Sequence, residues 1–188
     1  AAVHGGASSN SEPPDRAWMA WRSDPPRIWI GHPLDARSTP VALVTGSARR
    51  IGAAIARRLH AAGYDLALHY RDSAGDAQAL AAELEGARPN STLLLQADLV
   101  QFDRLPELVA QAIGRYGRLD ALVNCAGTIL RDGAEFTIAG FQKVLDVNLT
   151  GTMRMCVTAK PLLEKQGGVI VNIASIWSFF GGAMVPAY

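Results

Sequence analysis

The sequence is short of several things. It has two cysteines in 188 residues, Cys125 and Cys156, both in apolar surroundings and without the spacing of metal ligands. That argues against a disulfide framework and against a cysteine metal centre, and it fits reduced thiols in a cytoplasmic protein. No apolar run approaches the roughly 18 residues that a membrane-crossing helix needs. Net charge is nearly absent, at a formal +1. Such a balance leaves no electrostatic footprint for nucleic acid or for an acidic partner. No internal repeat is found. Neither a nucleic-acid partner nor a membrane is expected.

Proline and tryptophan are unevenly placed. Six of the ten prolines and three of the four tryptophans lie in the first 40 residues, where the charges cancel. Pro13-Pro14 and Pro25-Pro26 interrupt any continuous helix. No apolar stretch suited to secretion is present, and Glu12, Asp15, Asp24 and Asp35 weaken a transit-peptide reading. Residues 1–39 are expected to be a disordered leader or an artefact of the gene start. A partner motif around Trp18, Trp21 and Trp29 is the alternative. Residues 40–188 are expected to form a dinucleotide-binding domain.

From Val41 the pattern changes. Short apolar runs recur: VALVT (41–45), LALHY (66–70), TLLLQ (92–96), LDALVN (119–124) and VIVNIA (169–174). Continuous apolar runs of this length suit strands buried on both faces of a parallel sheet. Helical stripes lie between them. Ile51, Ile55, Leu59 and Ala62 share one face. So do Ala77, Leu80, Ala81 and Leu84, and then Leu105, Leu108, Val109, Ala112, Ile113 and Tyr116. Strand followed by helix, repeated, implies right-handed crossovers and an α/β doubly wound sheet in the order 3-2-1-4-5.

The segment VALVTGSARRIGAAIARRL runs a strand into Gly46 and places Gly52 in the first turn of a helix. Such a turn lets backbone N–H groups approach a phosphate, and the helix dipole favours the negative charge. Its place between the first strand and first helix points to a dinucleotide. The end of the second strand selects the cofactor, because an acid there grips a ribose 2′-hydroxyl. Here it reads LALHYRDSA, with Tyr70 at the strand end and Arg71 next. A cation beside the ribose suits a 2′-phosphate, so NADP(H) is expected, with Arg50 adding a second positive charge. Arg71 as an ordinary solvated loop arginine is the alternative. Asp72 opposes the assignment unless its side chain faces solvent or caps the next helix.

These residues resemble the short-chain dehydrogenase/reductase family. TGSARRIG (45–52) looks like its glycine motif, ADL (97–99) its adenine-binding aspartate segment, and NCAG (124–127) its strand cap. VNLTG (147–151) looks like its catalytic asparagine segment. Ser175 and Tyr188, thirteen positions apart, match its serine-to-tyrosine spacing. The resemblance runs from about Val41 to the last residue. Residues 41–99 look most like pteridine reductases, with Arg50 in place of the middle glycine of the usual motif. VNIASIWSFFGG reads like a general carbonyl or alcohol reductase instead.

The resemblance implies a Rossmann-like fold and hydride transfer from NADPH to a carbonyl or pterin C=N carbon. It implies a cofactor held by Gly46, Arg49, Arg50, Ile51, Tyr70, Arg71, Ser73, Asp98, Leu99, Asn124, Ala126 and Gly127. The implied catalytic residues are Tyr188 as proton donor, Ser175 as hydrogen-bond partner of the substrate oxygen, and Asn148 as the residue that bends its helix and holds a relay water. No metal is implied, and full-length relatives are implied to be homo-oligomers. Asn148 also stands out by pattern. Phe141, Val144 and Leu145 form a buried stripe that Thr152 and Met155 continue, and Asn148 falls on it. A buried amide needs partners, since leaving it without them costs about 1–3 kcal/mol. Bonding to backbone is the structural alternative.

Two departures from the family pattern stand out. Cys125 replaces the second asparagine of the strand cap. The family's lysine, four residues after the tyrosine, would fall at position 192. The chain is therefore expected to break off inside the active site, with the C-terminal strands missing. On that reading it is weakly active or inactive, with one sheet face and the last strand edge uncovered. A nucleotide-binding or interaction module without turnover is the competing reading, and a poorly folded product is a third.

Overall fold

The structure, a computed structural model, describes residues 39–188. The leader expected over residues 1–39, with its tryptophan motif, lies outside the described residues apart from Thr39. Five strands form one parallel sheet: β1 (Val41–Thr45), β2 (Asp65–Tyr70), β3 (Thr92–Gln96), β4 (Ala121–Asn124) and β5 (Val169–Asn172). Their order is β3-β2-β1-β4-β5, as the alternation predicts. The chain leaves β1 for β2 on one side and crosses to β4 on the other, opening a crevice at the carboxyl ends where the direction reverses. Leu43 aligns with Ala67 on one side of β1 and with Leu122 on the other.

Strand alternation divides the core in two. Val41 and Leu43 join Leu122 and Leu95 in a cluster under α3 (Leu105–Tyr116) and α5 (Thr152–Gln166). Ala42, Leu66 and Leu68 face the other way, under α1 (Arg50–Ala61) and α2 (Ala74–Ala87). The stripes expected for α2 and α3 pack as expected. Ala77, Leu80, Ala81 and Leu84 are buried, as are Leu105, Leu108, Val109 and Ala112.

Three expectations need correction. In α1 the buried face is Gly52, Ala53, Ala56 and His60, while Ile51 is 61% exposed. The helix must come close enough for Gly52 to touch the Gly46 turn, so small residues face the sheet and Ile51 swings out. The stripe after Thr137 is also displaced. Phe141 is exposed, and the buried positions are Gly140, Val144, Val147, Gly151, Met155, Ala159 and Leu163. Gly140 sets this face, because a Cβ there would stand 2.0 Å from the Ala134 oxygen. Finally, β5 is not buried on both faces. Ile170 and Val171 are exposed, and β5 pairs only with β4 among the described residues.

Between α4 (Ile138–Leu145) and α5 the chain widens into a π turn, Asp146–Gly151. Such bulges recur at functional sites because they re-aim one side chain without breaking the helix. Thr137 caps α4, its Oγ1 accepting from the Gly140 N–H at 3.0 Å. No helix among the described residues is long and apolar enough to cross a membrane.

One polar side chain inside the sheet governs the cleft. His69 of β2 is buried, and its Nδ1 accepts from the Gly46 N–H at 3.2 Å. That fixes the tautomer: Nε2 carries the proton and donates to the Ala97 oxygen at 3.1 Å. Burial pushes the imidazole down to about 4 from an ordinary 6.5, against the opposing pull of the Ala97 carbonyl and the Asp98 charge. The folded chain therefore holds His69 neutral, while the unfolded chain protonates it near pH 6.5.

Two stability outcomes are expected. Leu122, fully buried on interior strand β4, is worth about 2–5 kcal/mol against Leu122→Ala. Urea denaturation should show a lower midpoint with an unchanged slope. The His69 contribution is complete above pH 6.5 and disappears as pH falls toward 4. Its size is on the order of 3 kcal/mol. The stability gap between wild type and His69→Gln should shrink across that window, and a gap independent of pH would contradict a neutral, accepting imidazole.

Candidate active site

The carboxyl ends of the strands open onto one cleft of about 960 Å³. Its floor is the turn from β1 into α1. Gly46 has φ +64°, and a Cβ there would meet the Ala126 Cα at 2.7 Å. Gly52 supports the turn from below, since a Cβ there would lie 2.2 Å from the Gly46 oxygen. Thr45 Oγ1 accepts from the N–H groups of Cys125 and Ala126 at 3.0 and 3.1 Å, stitching β1 to the cap of β4. Arg50 takes φ +50°, a left-handed conformation that ordinarily favours glycine. Backbone strain at this arginine is thus stored at the mouth of the turn.

The N-terminus of α1 opens into the cleft. Its N-cap is Arg49, with no side-chain cap, and its first turn holds no acid. The first N–H groups of a helix lack partners within it, and the dipole adds partial positive charge. With Arg49 and Arg50 alongside, this donor set fits a phosphate group.

The second wall is the end of β2. Tyr70, Arg71, Asp72 and Ser73 all line the cleft. Asp72 does not cap α2; its side chain is 74% exposed and faces solvent, where it accepts from Arg71 Nε at 2.6 Å. Both side chains are largely exposed, and such a pair contributes little. Arg71 can therefore exchange this carboxylate for another anion at small cost. Across from it, Asp98 and Leu99 line the cleft after β3, with Asp98 Oδ1 accepting from the Val100 N–H at 3.2 Å. Ala126 and Gly127 complete the wall after β4.

Asn148, Ser175 and Tyr188 line the far end of the same cleft. Asn148 projects from the π turn. Its Oδ1 accepts from the Thr128 N–H at 2.7 Å, and its Nδ2 donates to the Thr128 oxygen at 2.8 Å. Both of its polar atoms thus have backbone partners, as a half-buried amide requires. Ser175 Oγ accepts from the Trp177 N–H at 3.3 Å. The Tyr188 ring meets the indole of Trp177 edge-on, with centroids 5.7 Å apart.

Asn124 does not line the cleft. It is 3% exposed and sits behind the wall, its Nδ2 donating to Asn172 Oδ1 at 2.8 Å and to Cys156 Sγ at 3.3 Å. Its buried Oδ1 has no hydrogen-bond partner among the described residues. Cys125 lines the cleft beside it, and burial pushes its thiol up, away from the reactive thiolate. His69 and Thr45 were not evident as site residues. The only sequence signal for either is a polar residue in an apolar strand beside a glycine turn.

Comparison with known proteins agrees with this geometry. The family model described as short chain dehydrogenase matches residues 40–188. Pteridine reductase 1 of Leishmania tarentolae is 44% identical over 108 residues, covering 48% of this chain and 37% of that one. A 3-oxoacyl-[acyl-carrier-protein] reductase of Synechocystis is 35% identical over 152 residues, covering 79% and 60%. A crystal structure from Burkholderia xenovorans, titled as a short-chain dehydrogenase/reductase, superposes with a TM-score of 0.73 at 33% identity, covering 80% of this chain and 65% of that one. The chain thus spans less than two thirds of the length of each of these relatives. A parallel sheet in the order 3-2-1-4-5, a glycine turn beneath a helix N-terminus and the match over residues 40–188 agree: the chain belongs to the short chain dehydrogenase family.

Proposed function

We propose that this chain supplies the cofactor cleft and catalytic face of an NADPH-dependent oxidoreductase that reduces a small carbonyl or pterin C=N substrate. The observation that carries this reading is convergence. A helix N-terminus flanked by arginines and the trio Asn148, Ser175 and Tyr188 line one continuous cleft. The N–H groups at the start of α1 hold the pyrophosphate, and the Gly46 turn lets it approach. Arg71, released from Asp72, binds a 2′-phosphate together with Arg50. Asp98, one of whose carboxylate oxygens is not used by Val100, would hold the adenine.

A bound nicotinamide supplies the hydride. Ser175 Oγ donates a hydrogen bond to the substrate oxygen or nitrogen and polarises the double bond. Tyr188 Oη gives its proton to the charge that develops there, and takes one in the reverse direction. Asn148 fixes Thr128 and with it the loop after β4, which closes the substrate end of the cleft. Relatives include a pteridine reductase and a 3-oxoacyl reductase, so both C=N and C=O acceptors belong in the assay.

Replacing Arg71 with Glu should lower the ratio of NADPH to NADH affinity by about 10–100-fold, the equivalent of one charged hydrogen bond. Fluorescence titration of both nucleotides measures it, and an unchanged ratio removes Arg71 from the site. Oxidation of NADPH by a 3-oxo ester or a dihydropterin tests turnover. Saturable binding without turnover on either would favour the binding module.

A further inference from the structure

Glu135 belongs to none of the motifs above, yet it is 0% exposed. It lies in a short 3-10 turn, Ala134–Phe136, between the loop after β4 and α4. A carboxylate taken from water costs several kcal/mol unless its lone pairs are satisfied. Here three main-chain donors satisfy them. Oε1 accepts from the Leu130 N–H at 2.8 Å. Oε2 accepts from the N–H groups of Ala187 and Tyr188 at 3.1 and 3.2 Å, the Tyr188 N–H being shared with the Val185 oxygen at 3.3 Å.

The two oxygens thus face two different segments. Leu130 belongs to the loop whose Thr128 is gripped at both N–H and C=O by Asn148. Ala187 and Tyr188 belong to a stretch without regular structure after α6 (Trp177–Phe180). Hydrogen bonds therefore tie Asn148 to Thr128 and Leu130 to Glu135 and the Tyr188 backbone, with the main chain of 128–130 joining the two halves. A carboxylate suits this place because, when ionised, it only accepts. Glutamine would turn an amide donor toward donors on one side.

We propose that Glu135 is the positioning residue that holds the Tyr188 backbone against the Thr128–Leu130 loop and so fixes the phenol at the cleft. The claim about the backbone stands on geometry alone, and its catalytic meaning rests on the role proposed above for Tyr188.

The test uses the full chain labelled with ¹⁵N-tyrosine, which gives four amide signals, from Tyr64, Tyr70, Tyr116 and Tyr188. Tyr188→Phe identifies the fourth. In Glu135→Gln the Tyr188 amide should move upfield and exchange with solvent about tenfold faster or more, as expected for loss of a bond to a charged acceptor. The other three signals should hold their positions, which a general loss of structure would not allow. Glu135→Asp should give a smaller shift in the same direction. A Tyr188 signal unmoved in both Glu135→Gln and Glu135→Asp overturns the proposal. If all four signals collapse together in both variants, Glu135 is a structural residue and the positioning role fails.

NADPH separates this inference from the reading it rests on. Addition of NADPH to wild type should move the Tyr70 signal at the cleft. If Tyr70 stays still while Glu135→Gln moves Tyr188, the clamp stands and the cofactor reading falls. With turnover, Glu135→Gln should lower kcat by about tenfold or more and leave NADPH affinity within about twofold. It should add nothing further in a Tyr188→Phe background, and an equal loss there would contradict action through Tyr188.

Discussion

The backbone of β1 reaches its end against the backbone that caps β4, with no side chain between them. A Cβ on Gly46 would stand 2.7 Å from the Ala126 Cα, and Gly52 packs under the same turn as closely. This double close approach pulls α1 down to the sheet and points its N-terminus into the crevice. His69 completes it from the neighbouring strand, accepting from the Gly46 N–H while donating to Ala97 at the end of β3. Three adjacent strand ends are thereby held in one arrangement by one neutral imidazole. Thr45 does the same for the fourth, through the N–H groups of Cys125 and Ala126. The cleft is the space left over once those strand ends are fixed.

The far end of the cleft follows a different logic. No strand end carries Tyr188, and the stretch that does has little regular structure. Main-chain bonds to one buried carboxylate and an edge-on contact with Trp177 take the place of a strand or helix. Asn148 acts from a π turn rather than an α turn, so its amide reaches the backbone of Thr128 with both polar atoms. The proposed chemistry thus depends on a rigid cofactor end built from sheet and glycine contacts, and on a substrate end built from side-chain-to-backbone bonds.

What could be read from the sequence follows this division. The strands β1 and β3 are continuous apolar runs bounded by turn residues, and their limits were legible. The stripes of α2 and α3 were legible too, because ordinary hydrophobic packing sets them. The stripes of α1 and α4 were not, because a close contact at Gly52 or Gly140 sets their rotation, and periodicity carries no record of it. The glycine turn, Arg71, Asp98, Asn148, Ser175 and Tyr188 were legible by type and spacing and share one cleft. Asn124 reads as a cleft residue but packs behind it. His69, Thr45 and Glu135 escaped because their roles depend on partners brought from remote parts of the chain.

The central claim is that the turn at Gly46 and the start of α1 form a phosphate site for a pyridine dinucleotide. Calorimetric titration of the folded chain with NADPH is its most direct test. Saturable one-to-one binding that weakens as salt is raised is the predicted result, since charged donors at the turn carry much of the contact. A folded chain with no measurable affinity for NADPH, NADP, NADH or NAD would contradict it.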